Sequence, residues 1–283
     1  MIGRERVDFA RVGGRGADAC VVRTASHTLD VPLFAGEPDA AACAALVQAL
    51  KDVAPDAQGY LPLHVSLPGP VVQIGVIALD ALPKKHAERV ALVQWHFSQS
   101  SAPGARLVCD CEAIGTSGEK PLLLGFAIDA AWHACVVDAL AAAGLTGWSL
   151  NADVCRQFNR FHDQLCSGGE GGALVTLSRD AWSLLLWDDA GRVRHCSSRW
   201  RSTGSEEPVR IAVDVERRIL AAVQSLPDLH VGGLHLAADD ADAAVGDAID
   251  ARLRTPCIRL AGAASAASTE PGLLAPFAAA LEA

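Results

Sequence analysis

The sequence is poor in aromatic residues and in positive charge, and both shortages limit the classes of protein to which it can belong. Its 283 residues include one tyrosine, six tryptophans and seven phenylalanines, so the apolar mass comes mainly from Ala, Leu and Val. Lys and Arg number 24 against 33 acidic residues, which gives a net charge of -9. Because phosphate backbones are bound by clustered basic side chains, we expect no nucleic-acid partner. The same charge argues weakly against adsorption to an anionic membrane.

Long apolar runs are also missing. No stretch approaches the roughly 18 apolar residues that a membrane-spanning helix needs, and the first 16 residues carry charge without the apolar core of a signal peptide. We therefore predict a cytoplasmic protein without direct membrane insertion. The nine cysteines are an odd number without zinc-type spacing. In a reducing compartment we expect their thiols to act mostly as small buried hydrophobes.

Motifs of catalysis and metal binding are absent as well. The sequence contains no G-x-S-x-G elbow, Walker loop or H-E-x-x-H motif. The glycines of segment 13–16 join two predicted strands and do not lead into a helix, so they lack the helix dipole that attracts phosphate. Pairs with ligand-like spacing are interpreted as core or surface residues: Cys109 and Cys111, His133 and Cys135, His162 and Cys166. We predict no catalytic residue and no metal site.

The length and the order of predicted elements indicate two lobes. About half of the residues are hydrophobic, and 283 residues suit two domains on a prior of about 100–200 residues each. Segment 167–172, SGGEGG, is the clearest break in composition. We place one lobe at 1–166 and another at 173–283. Each begins with a strand meander and continues with alternating helices and strands, and the first carries an insertion at about 67–143.

The most informative stretch is 61–99. It reads as a strand, a Pro-Gly-Pro turn, a second strand, a linker and an amphipathic helix. Its three pieces VSLPGPVV, IALDALPKK and ALVQWHF resemble, in order and spacing, the same region of the PilM family of type IV pilus assembly proteins. This resemblance implies an α/β fold of the actin-like, ribonuclease-H-like type, with two lobes and an inserted subdomain in the first.

The resemblance also locates a nucleotide site, and the chemistry of that site is depleted. In the first phosphate loop Gly3 matches the glycine, but the aspartate has no counterpart. In the second, Thr176 stands in place of the carboxylate and Ser178 in place of the glycine. The adenosine turn has Ala237 and Ala238 where the family has glycine. Since Mg²⁺ needs oxygen ligands and phosphates need close backbone approach, we expect neither ATP nor Mg²⁺ to be used. Proteins resembling GspL and MshI share this degeneration.

The function implied by the resemblance is that of a non-catalytic scaffold. It would bind the cytoplasmic tail of a single-span PilN-type protein and thereby lie peripheral to the inner membrane. Val71, Trp95 and Phe97 belong to the insertion that borders the family's peptide groove and are candidate partner-binding residues. A secretion or pilus ATPase and a second copy of the chain are further expected partners. The alternative is an active actin-like ATPase or a sugar-kinase-like transferase of the same fold.

Charged clusters outside these loops have simpler interpretations. Asp188 and Asp189 occupy a predicted hairpin turn, and the acidic residues of segment 239–242 precede a helix, where acids suit the dipole. A basic stretch is interpreted as a solvated face or as an edge that meets an acidic partner, and it comprises Arg192, Arg194, Arg199 and Arg201.

Overall fold

The computed structural model describes residues 1–13, 20–55, 63–202, 207–238 and 242–260. The strands are β1 (Arg6–Gly13), β2 (Cys20–Thr28), β3 (Leu63–Leu67), β4 (Gln73–Ala78), β5 (Leu107–Ser117), β6 (Lys120–Asp129), β7 (Trp148–Ala152), β8 (Gly172–Leu177), β9 (Ala181–Trp187), β10 (Val193–Trp200), β11 (Gly233–Ala237) and β12 (Cys257–Arg259). The helices are α1 (Ala40–Val53), α2 (His86–Ser98), α3 (Ala130–Ala142), α4 (Asp153–Cys166), α5 (Glu207–Ser225) and α6 (Ala243–Leu253). The predicted glycine turn after Gly13, the residues Asp239 and Asp240 and the predicted C-terminal helix 273–281 lie outside the described residues.

The second lobe is built on a five-stranded sheet of order β10-β9-β8-β11-β12. The first three strands are antiparallel, whereas β8, β11 and β12 run parallel. Every residue of β8 and β9 is buried, because α5 and α6 cover one face and α4 the other. Burial on both faces explains why these strands read as continuous apolar runs rather than as alternating ones.

The first lobe surrounds a core shared by α1, α3 and the strands β1 to β3. β3 and β7 pair in parallel, and β1 and β2 form an antiparallel hairpin. Ile2 connects these pieces, since its N–H donates to the Ser66 carbonyl over 3.0 Å and it forms a bridge with Val7. Leu46 and Leu140 are completely buried where the two helices pack.

Strands β4, β6 and β5 form, in that order, a three-stranded antiparallel sheet, the inserted sheet. Helix α2 covers one face of it through Val93 and Phe97, and the other face packs toward α4 and the second lobe. Gly125 permits this close contact, because a Cβ there would lie 2.8 Å from Val93 Cγ1. Helix α3 and Ile128 near the end of β6 pack in the first-lobe core.

Two cysteines of the first lobe are not free thiols. Cys43 of α1 and Cys135 of α3 form a disulfide with their Cα atoms 5.8 Å apart, a separation typical of such bonds. For this pair the expectation of unlinked hydrophobic thiols is wrong. Spacing along the chain could not reveal it, since 92 residues separate the two positions. The described free cysteines are Cys109, Cys111, Cys155, Cys166, Cys196 and Cys257.

Across the described ranges, no helix combines the length and the apolar character that crossing a bilayer requires.

Candidate functional site

The first candidate loop is the turn that leads into β1. Gly3 donates its N–H to the Arg6 carbonyl over 2.8 Å, which closes a tight turn after Ile2. Because Ile2 is tied to β3, this turn is held at the edge of the first lobe and faces the second. The Arg4 guanidinium lies over the Trp200 ring at 5.6 Å, so a side chain of the turn already crosses to β10.

The second candidate loop is the turn between β8 and β9. The Ser178 N–H donates to the Ala181 carbonyl over 2.8 Å, and the Ser178 hydroxyl bonds the same residue. This hydroxyl therefore closes the turn itself. Thr176 lies two residues before Ser178, is buried, and pairs in register with Ala237 of β11. The structure thus brings Thr176 and Ala237 together, with Ala238 half-buried beyond the strand end.

A carboxylate joins the two loops. The Arg4 N–H donates to Asp180 Oδ2 over 2.7 Å, and a Cβ at Gly3 would stand 2.8 Å from the same oxygen. Asp180 therefore occupies the space into which the glycine turn opens. The sequence analysis did not single out Asp180. The available signal was an acidic side chain two residues after Ser178.

Arg201 stabilises the second loop through hydrogen bonds to two of its carbonyl groups. Its backbone N–H donates to the Asp180 carbonyl over 2.8 Å and its guanidinium to the Ser178 carbonyl over 3.0 Å. The same guanidinium pairs with Glu207 and Asp242, each at 2.8 Å. Burial lowers the pKa of Arg201, but hydrogen bonds to the two carboxylates outweigh burial and raise it. The turn that presents Asp180 is therefore fixed by a permanent cation.

A buried carboxylate, Asp153, lies at the first position of α4. Burial raises the pKa of Asp153 to about 7, although N–H groups of Val154 and Gly69 donate to it and act in the opposite direction. Gly69 begins a short 3₁₀ turn that packs directly on Ser183 and Ser198 of the second-lobe sheet. Sequence reasoning missed Asp153, because a helix-initiating aspartate is common and nothing in its neighbours signals burial.

Arg192, Arg194 and Arg201 of the basic stretch form internal ion pairs, which corrects their interpretation as a solvated or partner-facing edge, whereas Arg199 is exposed. Arg194 is buried and pairs with Asp188 at 3.2 Å and with Asp228 at 2.9 Å. Arg192 pairs with Asp188 at 2.9 Å and also donates to the carbonyl of Thr116 near the end of β5. The hydrogen bond from Arg194 is the main cause of a strongly lowered pKa of Asp228. These contacts hold the inserted sheet against the second lobe.

Asp188 also serves the hairpin turn, as predicted. Its Oδ1 accepts the N–H groups of Ala190 and Arg192, both at 3.1 Å. Burial raises the pKa of Asp188, but the bonds from Arg192 and Arg194 prevail and the net shift is downward.

The candidate partner-binding residues occupy three different environments. Trp95 is 64% exposed on the outer side of α2. Phe97, two residues later, is buried under the same helix and contacts Gly75 and Gly125. Val71 ends the 3₁₀ turn and packs against the first-lobe core. Of the three, Trp95 offers the accessible aromatic surface.

Possible metal ligands are few in the described part of the chain. His162 and Cys166 both approach Gly191 in the hairpin turn without a third ligand nearby. Cys109 and Cys111 lie on the α2 side of β5, as strand alternation predicts. One group of three has its ligand atoms within 4.8 Å of one another: His86, Asp110 and Cys111. This group belongs to the inserted sheet and its helix α2, not to the phosphate loops.

Comparison with known proteins identifies the fold. A solved chain of the PilM-PilN type IV pilus biogenesis complex superposes with a TM-score of 0.72 at 15% identity, over 99% of this chain and 96% of that one. The chain has the PilM fold. The predicted PilM-like, actin-like architecture is thereby confirmed.

Two further solved structures are more distant. A Bacteroides thetaiotaomicron protein with an actin-like ATPase fold and unknown function matches 83% of this chain and 82% of its own, at TM-score 0.49 and 13% identity. The cytoplasmic domain of EpsL, an inner membrane component of the Vibrio cholerae type II secretion system, matches 100% and 93% at TM-score 0.46 and 12% identity. No protein-family model and no curated protein matches the chain.

Proposed function

We propose that the protein is a non-catalytic scaffold in the inner-membrane assembly platform of a type IV pilus or type II secretion machine. The observation that carries this proposal is the contact of Asp180 with Arg4 across the two loops, at 2.7 Å. The fold supports this setting, since the matched chain comes from a PilM-PilN type IV pilus biogenesis complex.

The Asp180 contact opposes nucleotide binding in two ways. It uses a backbone N–H of the kind that phosphate-binding loops offer to phosphate oxygens. It also places a carboxylate where the anionic phosphate would approach, and like charges at close range repel strongly in a partly buried site. Thr176 and Ser178 supply hydroxyls in place of the metal-binding carboxylate and the glycine, so they add nothing that would offset this repulsion for an Mg²⁺-bound nucleotide.

The competing functions are an active ATPase and a sugar-kinase-like transferase of the same fold. Both require the phosphates to lie between the loops. Titration calorimetry with Mg-ATP separates them from the scaffold: we expect no binding by the wild-type protein. Asp180→Ala removes the blocking carboxylate, and Asp189→Ala, at an exposed turn position, is the matched control. Wild-type binding of Mg-ATP at micromolar concentration would refute the proposal.

The partner we propose is the cytoplasmic N-terminal tail of a PilN-type single-span protein. Trp95 supports an interaction on α2, because large exposed aromatic side chains are frequent anchors in protein interfaces. Binding to the partner would place this protein at the cytoplasmic face of the inner membrane. Contact with the machine's ATPase and self-association remain predictions of the resemblance.

The test is fluorescence anisotropy with a labelled peptide of the PilN-type tail from the same genome. We expect Trp95→Ala to weaken binding by more than about tenfold, which corresponds to about 1.4 kcal/mol. Leu220→Ala is the matched control, since Leu220 of α5 is 55% exposed and Trp95 is 64% exposed. Equal affinities of the two variants would exclude α2 as the docking surface, and no binding by the wild type would exclude the partner.

A further inference from the structure

The inserted sheet carries a cluster of three different metal-ligating side chains. His86 is the first residue of α2, and Asp110 and Cys111 are consecutive residues of β5. The imidazole nitrogen, the carboxylate oxygen and the sulfur all lie within 4.8 Å of one another. Because 24 residues or more separate the helix from the strand positions in sequence, no spacing motif could have revealed the group.

The geometry is close to that of a tetrahedral site. His86 Nε2 lies 3.2 Å from Asp110 Oδ1, whereas bond lengths of about 2.0–2.3 Å to zinc place tetrahedral ligands about 3.3–3.6 Å apart. The Cys111 N–H donates to Asp110 Oδ1 over 2.7 Å, and this bond fixes the carboxylate relative to the strand. Since all three ligand atoms lie within 4.8 Å of one another, side-chain rotation can bring them around one ion.

The ligand chemistry selects the metal. Ca²⁺ and Mg²⁺ bind oxygen ligands, so a site with one nitrogen and one sulfur disfavours them. Zn²⁺ accepts imidazole, carboxylate and thiolate together in four-coordinate geometry. Two anionic ligands also neutralise its double charge. With His86 and Asp110 both more than half exposed, the fourth position faces solvent and can hold water.

An ion pair alone does not account for the arrangement. A solvent-exposed His–Asp pair contributes little to stability, and it does not need a thiol beside it. The three ligands join the start of α2 to the edge strand of the inserted sheet, so a bound metal would link two elements that otherwise meet through apolar packing.

We propose that His86, Asp110 and Cys111 bind one Zn²⁺ ion, with water as the fourth ligand. The ion fastens the N-terminal end of α2 to β5 and thereby stabilises the helix that presents Trp95. Like other zinc-bound cysteines, Cys111 releases its proton to the solvent when the Zn–S bond forms. This site lies outside the nucleotide loops, and zinc binding by it can be tested without the scaffold function.

The test is zinc titration calorimetry on the full chain, kept reduced and free of chelators. We expect one equivalent of Zn²⁺ to bind, and the affinity to fall by at least about tenfold in His86→Ala and in Cys111→Ser. Cys109→Ser is the matched control, because Cys109 lies on the same strand and the same face but outside the ligand group. His96→Ala provides the same control on α2.

Cobalt substitution gives a second measurement that does not depend on variants. Co²⁺ bound by the wild-type protein should show a sulfur-to-cobalt charge-transfer band, which reports thiolate ligation directly, and the band should persist in Cys109→Ser. The proposal is overturned if the wild type binds no Zn²⁺, if the band is missing, or if Cys109→Ser lowers affinity as much as Cys111→Ser does.

Discussion

The junction between the lobes and the outer side of the inserted sheet differ in the surroundings of their side chains. At the junction Asp180, Asp153 and Arg194 have partners within the protein, and their side chains contact atoms of another part of the fold. On the inserted sheet His86 and Trp95 face solvent. The difference indicates that polar contacts at the junction of the two loops help to hold the lobes together, whereas the insertion keeps groups available for external ligands.

Energetics sharpen this comparison. A buried ion pair contributes little net stability, but removing one partner leaves an uncompensated charge in a poorly solvated place. An exposed residue can be removed with almost no effect on folding. Substitutions at the junction should therefore affect stability, and substitutions on the outer face of α2 should affect binding.

The largest effect is expected for Arg194→Ala. This change leaves Asp188, whose side chain is 2% exposed, without one of its two cationic partners, and it removes the hydrogen bond from Arg194 to Ser117 of the inserted sheet. We expect a loss of about 3–5 kcal/mol in the free energy of unfolding, measured by urea denaturation. Arg217→Ala breaks an exposed pair with Asp214 and should cost less than about 1 kcal/mol. Similar losses in both variants would contradict the distinction.

Asp153 should make stability depend on pH. Its folded pKa of about 7 exceeds the value of about 3.9 in an unfolded chain, so the folded protein retains a proton that the unfolded chain releases. Stability should therefore fall as pH rises from about 4 to about 7 and should then level off, with a total change of a few kcal/mol.

Asp153→Asn tests this assignment in urea denaturation at several pH values. The variant lacks the titrating group, so its stability should change less across this window than that of the wild type. Asp163→Asn, at a fully exposed position of the same helix, should follow the wild-type curve. If the stabilities of the wild type and of Asp153→Asn changed equally between about pH 4 and about pH 7, a neutral Asp153 would be ruled out.

Gly125→Ala should have an intermediate effect, confined to the inserted sheet. The new methyl group would lie 2.8 Å from Val93 Cγ1, so α2 has to move outward from β6. Overpacking of this kind costs about 1–3 kcal/mol, which thermal unfolding will detect as a lower midpoint. Gly36→Ala is the control, because a Cβ at Gly36 meets no atom within 4 Å. A melting temperature equal to that of Gly36→Ala would show that α2 is loosely packed.

The sequence was sufficient for features that depend on local pattern. Asp39 and Asp129 cap α1 and α3 through bonds to Ala42 and Ala131, and both follow from a polar residue before an amphipathic segment. Gly144 adopts a φ of 74° after α3, as expected of a glycine that ends a helix. The family resemblance added the order of the lobes and the positions of the depleted loops.

Features that depend on distant residues were not predictable. Asp180 meets Arg4 across 176 positions of sequence, and the Cys43–Cys135 disulfide spans 92. Arg194 illustrates the reason: alternation along β10 placed it on a face, but whether that face meets solvent or Asp228 depends on the turn that brings the segment before β11 beside it. Burial and pairing of polar groups are set by tertiary packing, and no single strand or helix encodes them.

The smallest effect on stability is expected for Trp95→Ala, and this variant tests the comparison most directly. Trp95 is 64% exposed, so its removal should change the free energy of unfolding by no more than about 0.5 kcal/mol. Phe97→Ala, two positions along the same helix, should cost about 3–5 kcal/mol because Phe97 fills the core under α2. If urea denaturation gave Trp95→Ala a loss comparable to that of Phe97→Ala, Trp95 would be a packing residue and its exposed ring would carry no argument for a partner. A stable Trp95→Ala protein with weakened peptide binding would instead separate recognition from folding on one helix.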